Sequence, residues 1–450
     1  MATTYLTQTF GSAGTRTKYT ISVWLKRSKL GADINIISAG TGANNSFGLR
    51  FNADDSLNWN SYSNDGANYD YFLNTTRRFR DTSAWYHIVC AFDSTQGTSS
   101  NRMKIYINGV QETSFAASTY PDVNFAGYIF NNILHEIGQD VGAGSMFFDG
   151  SMSHFHGVDG TALAPTVFGE TDSTTGEWKI NTSPSVTYGT NGFFILKDGN
   201  SVTDQSGNSN NFTVAGGTLT NTEDCPSNNF ATLNPLYVIN ASHMPTLTNG
   251  NTTGTSTSSG FSSGVAGIAP TGSGKYYSEH KLISGTGGWD TNTFVGYSPT
   301  PNGTLLAPHD ANFFYGVLAD GGARQGATNR DGYAGTWTSG DIIRLALDLD
   351  NNRLYVGKNA YWSDGSGNWD EANINGYLDL TASPAVAGDN WFMICGDKNT
   401  STATWGNNFG NGYFGTTAVA SAGTNASSNG IFEYDVPTGY TALSTKGLNL

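Results

Sequence analysis

Apolar residues recur at every second position through the first 165 residues, the mark of strands with one buried face. Ile21, Val23 and Leu25 share one side of a strand; Tyr86, Ile88, Cys90 and Phe92 share another, and so do Met103, Ile105 and Ile107. Asn108-Gly109 follows the last of these and supplies the positive-φ pair of a tight hairpin. From about residue 274 the alternation returns. Ile343, Leu345, Leu347 and Leu349 alternate with Arg344, Ala346 and Asp348, a turn is expected at Asp350-Asn351-Asn352, and Leu354 and Val356 continue on the return strand. Each half thus holds an apolar strand ending at Asp (Asp93, Asp350), an Arg-led strand carrying Tyr (Tyr106, Tyr355), and Asn closing the next turn (Asn108, Asn359). Two unrelated hairpins obeying one physics, or two copies of one sandwich architecture, both fit. No useful helical period occurs, so the expectation is an all-β chain.

Between the halves the pattern changes. Residues 166–235 are rich in Thr, Ser and Asn, with apolar islands at Phe193-Phe194-Ile195-Leu196 and Phe212-Thr213-Val214, and Asn249 to Ser263 reads as a flexible loop or linker. At 450 residues the chain exceeds what one core usually supports. Charged residues are 13% and Gly number 57 against 12 Pro, which favours short strands and turns. Lys plus Arg total 22 against 36 Asp plus Glu, a net charge of −14 with no basic cluster, so nucleic-acid binding is not expected. The start Met1-Ala2-Thr3-Thr4-Tyr5 lacks a basic, apolar leader, and no segment reaches about 18 apolar residues, so neither a signal peptide nor membrane insertion is expected. Cys90, Cys225 and Cys395 have no metal-ligand spacing; Cys90 and Cys395 sit in apolar runs and read as buried thiols. Synthesis in a cytosol and release by lysis fits these features.

Candidate chemistry is sparse. Glu136 and Asp140 fall on one face if the strand continues, but four residues at about 3.3 Å each set their Cα atoms roughly 13 Å apart, too far for a glycosidase carboxylate pair. No Ser-His-Asp order with a nucleophile elbow occurs, and no enzymatic activity is expected. His154 and His156 could supply two metal ligands with Asp159 as the nearest third, or pack against Phe148 and Phe155. In Asp364-Gly365-Ser366-Gly367-Asn368-Trp369-Asp370-Glu371, the acids Asp364, Asp370 and Glu371 offer oxygen ligands for calcium, though Trp369 stands where an EF-hand needs glycine; an ordinary exposed loop is the competing reading. No cofactor is required, and calcium is the one ion left open. Asp204-Gln205-Ser206 reads as an Asx turn. Trp59, Tyr62, Tyr69, Tyr71, Trp362 and Trp369 fall in Asn/Asp/Gly/Ser-rich stretches. Either these rings stack on sugars while neighbouring amides and carboxylates bond hydroxyls, or they cover the rim of a sandwich.

Several segments resemble known families. Tyr19 to Lys26, Trp85 to Val89, Lys104 to Gly109, Ile137-Gly138 and Phe148-Asp149-Gly150 resemble laminin-G-like, concanavalin A-type jelly rolls across 1–165. Phe155 to Pro165, Phe168 to Asp172, Gly176 to Lys179, Tyr188 to Phe193, Asn228 to Pro235 and Pro437 to Leu443 resemble structural proteins of marine tailed bacteriophages. One departure is visible: His154 stands where such proteins tend to carry Glu. Gly274 to Glu279, Gly340 to Asp350, Lys358-Asn359 and Trp405 to Gly410 resemble a SPRY domain across 255–420.

The resemblances imply two jelly-roll type β-sandwiches, 1–165 and 255–420, joined by a connector with short strands at 166–254 and followed by a tail at 421–450. They imply a virion protein, a tail-fibre or tail-associated adhesin that reads host-surface glycan, with other virion proteins as partners. The alternative is a head-surface decoration or other structural subunit making only protein contacts; a polysaccharide-degrading enzyme ranks below both. Fibre proteins are often homo-trimers, although this chain carries no heptads.

Overall fold

The computed structural model describes residues 3–63, 69–197, 199, 201–237, 244–256, 262–286, 293–299, 314–381, 390–397 and 402–448. The chain divides into two compact units, Met1–Asn221 and Thr222–Leu450. Each is a β-sandwich. Helix is confined, among the described residues, to the short turns Ser99–Asn101, Pro165–Val167 and Thr445–Leu448. No described helix is long and apolar enough to cross a membrane.

The first unit packs an eight-stranded sheet against a six-stranded one. The larger runs, in spatial order, Phe115–Thr119, Tyr69–Arg78, Ser56–Tyr62, Asn45–Phe51, Ile34–Gly42, Leu134–Ile137, Tyr5–Thr9 and Thr213–Gly216. The smaller runs Phe193–Ile195, Gly150–Asp159, Lys18–Arg27, Tyr86–Asp93, Met103–Ile107 and Val110–Glu112. The alternation seen in the sequence is the reason the sheets meet: Ile21, Val23, Leu25, Ile88, Cys90, Phe92, Ile105 and Ile107 all enter the core between them. The Asn108-Gly109 hairpin forms as expected, pairing Ile107 with Val110 at φ values of 48° and 79°.

Residues 166–221, expected within a connector, belong to the first unit. Phe193–Ile195 and Thr213–Gly216 are edge strands of its two sheets, because Phe193, Ile195 and Phe212 are apolar enough to enter its core. The segment between Asp159 and Phe193 lays a third layer on the outer face of the six-stranded sheet, where Val89, Val158, Phe168, Tyr188 and Phe194 form a separate apolar cluster.

The second unit faces a ten-stranded sheet with a six-stranded one. The central path of the larger sheet is Thr253–Thr255, Thr402–Asn408, Lys275–Thr286, Ile342–Asp348, Arg353–Lys358, Tyr361–Ser363 and Trp369–Glu371, with Trp369–Glu371 at one edge. Ile343, Leu345, Leu347 and Leu349 point into the core, and the expected hairpin pairs Asp348 with Arg353. Residues Thr253–Thr255 and Ser262–Val265, expected in a loop, are strands of the two sheets; residues 257–261 of that stretch lie outside the described residues. The final segment also adds a layer. Phe432, Val436, Tyr440 and Ala442 cover Tyr277, Ala346, Tyr355 and Trp362 on the outer face of the ten-stranded sheet, and Thr441–Ala442 pairs in parallel with Tyr276–Tyr277.

Candidate functional site

Period-two alternation in the first unit's large sheet sends Phe47, Leu49, Leu57, Trp59, Tyr71 and Leu73 inward and leaves the intervening side chains on the outer face. Cross-strand register sets those side chains in rows. One row reads Glu136, Ser38, Gly48, Asn60, Phe72, and the next reads Asn35, Arg50, Asn58, Asn74. Tyr62 and Tyr69 oppose one another in the adjacent row, with ring centroids 4.1 Å apart, and Tyr69 lies 4.6 Å from Phe72. The result is a polar floor ending in an aromatic step.

This floor is buried although it belongs to an outer face. Asn35, Ser38, Asn58, Asn60, Glu136 and Gln139 are all buried, partly because residues 138–149 fold over them. That loop is fixed by Ser38 Oγ donating to the Gln139 carbonyl at 2.8 Å, by Asn35 Nδ2 donating to Asp140 Oδ2 at 3.3 Å, and by the Asn35 amide donating to the Met146 carbonyl at 2.7 Å. Even so, Asn35 Oδ1, Glu136 Oε2, Gln139 Oε1 and Arg50 Nε have no hydrogen-bond partner among the described residues. Leaving a buried polar group unpaired costs about 1–3 kcal/mol, so three acceptors and a donor make this a costly part of the sheet to keep covered. Burial, then the charge of Asp140, raises the Glu136 carboxyl above its usual range. The two acids are not on one extended strand, since the strand ends at Ile137 and Gly138 turns at φ 85°. The expected four-residue extended spacing therefore does not hold.

The sequence-derived aromatics separate. Trp59 and Tyr71 are 0% and 1% exposed and belong to the core, Tyr71 exchanging a hydroxyl hydrogen bond with Tyr19. They were misplaced because the Asn and Ser around them suggest a loop, whereas these polar residues are the outward half of paired strands. Tyr62 is half-buried and Tyr69 is exposed, so both remain candidates. Trp362 is buried beneath the Arg344 guanidinium, 4.2 Å from its ring, and is not available to a ligand.

Of the two second-unit candidate rings, Trp369 reaches a surface cleft of about 580 Å³, which it lines with Tyr361, Lys358, Asn368 and Asp370. Its indole N–H donates to the Gly335 carbonyl at 2.6 Å, and a Cβ at Gly335 would come within 2.8 Å of the ring. Tyr361, which sequence reasoning passed over, is 52% exposed beside it.

The metal candidates do not assemble. Asp364 Oδ1 accepts the Ser366 and Asn368 amides at 2.7 and 3.1 Å, and its Oδ2 accepts Asn368 Nδ2 at 2.8 Å; the carboxylate closes its own loop, and these bonds, led by Asn368, hold it below the usual range. Asp370 is exposed and Glu371 lies on the edge strand. His154 sits in a bulge at φ 48°, which turns it to the same outer layer as His156, their rings 6.5 Å apart. His156 Nδ1 shares a hydrogen bond with the Tyr188 hydroxyl at 2.9 Å, against Phe194 and Phe168. Asp159, the expected third ligand, accepts the Thr15 and Asn191 amides instead. Among the described residues no group of three His, Cys, Asp or Glu is placed to hold a metal ion. Oxygens of the type that hard cations take occur at Asn35, Gln139 and Glu136, only the last a carboxylate.

A family model of the concanavalin A-like lectin/glucanases superfamily matches residues 2–167, within the first unit. Solved structures similar to parts of the chain include a heptameric SAP-like pentraxin from Limulus polyphemus, at 19% identity and TM-score 0.26, covering 36% of this chain and 71% of that one. The SPRY domain of human HERC1 is similar at 17% identity and TM-score 0.27, over 35% and 87%. The CBM40 module of the Ruminococcus gnavus IT-sialidase is similar at 14% identity and TM-score 0.26, over 35% and 90%. Similarity at this level carries no statement about ligands. No curated protein sequence matches the chain.

Proposed function

We propose that this chain is a non-catalytic, glycan-binding structural protein of a virus particle, assembled with other virion proteins on the outer surface or tail, where it reads host-surface polysaccharide. The observation that carries the glycan reading is the first unit's Tyr62–Tyr69–Phe72 aromatic step, with the exposed Tyr69 ring at the rim of the polar floor. A pyranose has an apolar C–H face to lay on such rings and hydroxyls to bond polar groups at their edge. The match to a lectin/glucanase superfamily over the same residues supports this reading, and the phage-like segments between Phe155 and Leu443 support the virion origin. Single sugar sites are weak, and many copies on one particle raise avidity by roughly 10²- to 10⁴-fold.

The test compares full-length wild type with Tyr69→Ala for adsorption to host cells as a multivalent display, beside a reducing-sugar release assay. Tyr69→Ala removes an exposed ring without opening the core and weakens binding about 3- to 10-fold, the range expected for one aromatic contact. Release of oligosaccharide by the wild type would refute the non-catalytic part.

A further inference from the structure

We infer that the cleft beside Trp369 in the second unit is a separate saccharide site, taking one or two pyranose rings of a neutral polysaccharide. This goes beyond the first-unit reading: it concerns different residues on a different sandwich and stands or falls independently.

The cleft is a fixed shape. Its floor, Trp369, begins the edge strand Trp369–Glu371, and the loop before it is closed by the three hydrogen bonds to Asp364. The indole is pinned by its 2.6 Å bond to Gly335, and the Lys358 ammonium lies 5.8 Å from the ring centroid while donating to the Thr336 carbonyl at 3.0 Å. The opposite wall is set by Asn359, at φ 51°, whose amide side chain accepts the Ile342 N–H at 2.9 Å and donates to Asp341 at 2.7 Å. Tyr361 follows two residues on, so its exposed ring stands just after a braced turn. A site already held in its bound shape pays little ordering entropy on binding.

The chemistry of the lining selects the occupant. Two aromatic rings line the cleft, Tyr361 exposed and Trp369 partly so, with a cation (Lys358), an anion (Asp370) and an amide (Asn368) beside them. Donor and acceptor in one small cleft suit the paired hydroxyls of a sugar, each of which can both give and accept. A polyanion is disfavoured by the exposed Asp370, and a strongly cationic ligand by Lys358. Strand addition by a peptide is disfavoured because the adjoining edge, Trp369–Glu371, is three residues long and carries two acids. The volume, about 580 Å³, lies within the range of small-ligand sites.

The experiment uses the full chain carrying Tyr69→Ala and Glu136→Gln, which disables the first-unit site, and titrates it with maltohexaose, cellohexaose, mannohexaose and a galactan hexamer by calorimetry. Binding of at least one of these is expected to persist, to weaken about 3- to 10-fold with Tyr361→Ala, and to be lost to detection with Trp369→Ala. Because Trp369 also touches the core, the exposed Tyr361 variant is the deciding one, with unchanged thermal melting as its control. No binding by the disabled chain, binding indifferent to Tyr361→Ala, or capture of peptides but none of the four sugars would each overturn the inference. Loss of wild-type host binding in Tyr69→Ala alone speaks to the first-unit site and leaves this result separate.

Discussion

Both units bury the outer face of one sheet beneath a later segment of chain, yet they treat the polar groups trapped there in opposite ways. In the first unit the trapped groups are neutral imidazoles. His87 stacks between Trp24 and Trp178; Trp178 Nε1–H donates to its Nδ1, so the ring proton sits on Nε2 and faces Ser22 Oγ at 2.9 Å. Burial lowers His87 to about 3 and His156 well below its ordinary value. In the second unit the trapped groups are ionisable partners. Glu279 accepts the Glu433 and Tyr434 amides at 2.8 and 2.9 Å and the Tyr277 hydroxyl at 2.9 Å, opposite Arg344, whose guanidinium lies over Gly357 between Trp362 and Tyr434. Burial wins over those hydrogen bonds and pushes Glu279 up to about 7. A covering layer anchored by neutral rings is thus sensitive to acid, while one anchored on a buried carboxyl is sensitive to base.

The largest expected effect breaks the second unit's anchor. Glu279→Ala leaves two backbone amides without an acceptor and Arg344 without its opposite charge, and should cost about 3–5 kcal/mol. Denaturant unfolding should show the second unit melting early while the first is unmoved. His156→Ala should cost the first unit about 2–4 kcal/mol, because it opens a cavity among Phe168, Tyr188 and Phe194 and orphans the Tyr188 hydroxyl.

The pH dependence sharpens the contrast. In the first unit, His87 and His135 titrate from 6.5 when unfolded to about 3 and about 4 when folded, so their stabilisation is complete above pH 6.5 and is lost as the pH falls towards 4. In the second unit, Glu279 moves from 4.5 to about 7, so its contribution is complete below pH 4.5 and lost as the pH rises through 7. His280, lowered to about 4, opposes it over the shared window. Between pH 7 and 5 the stability of the first unit should therefore fall clearly, while that of the second changes by no more than about 1 kcal/mol because its two groups nearly cancel. Glu279→Gln should unmask the His280 term and make the second unit acid-labile too. The smallest effect expected is Tyr62→Phe, which keeps the ring beside Tyr69 and removes a hydroxyl; binding should change by less than about 3-fold.

Where a residue's fate is decided by its own strand, the sequence was readable. Ile21 to Leu25 and Ile343 to Leu349 lie as their alternation requires, because a strand with one buried face writes its pattern locally. Trp59 was not readable on the same terms: Asn58, Asn60 and Ser61 look like loop residues, and only pairing on both sides shows them to be the outward half of a strand. The covered outer faces left no local trace. His156 meets Tyr188 and Glu279 meets Tyr434 across 32 and 155 residues, distances over which composition carries no register. Of the candidate rings, Tyr62, Tyr69 and Trp369 reach the surface, and the first unit's floor residues Asn35 and Arg50 gave no signal except alternation with apolar neighbours.

The central claim, that the first unit's polar floor binds host glycan, is tested most directly by adsorption of multivalent wild-type protein and of a Tyr69→Ala/Glu136→Gln variant to host cells, with folding of both verified by thermal melting. The account predicts saturable adsorption by the wild type, competed by purified host polysaccharide, and adsorption reduced at least about 10-fold in the folded variant. Equal adsorption by the two proteins, or adsorption that host polysaccharide does not compete, would contradict it.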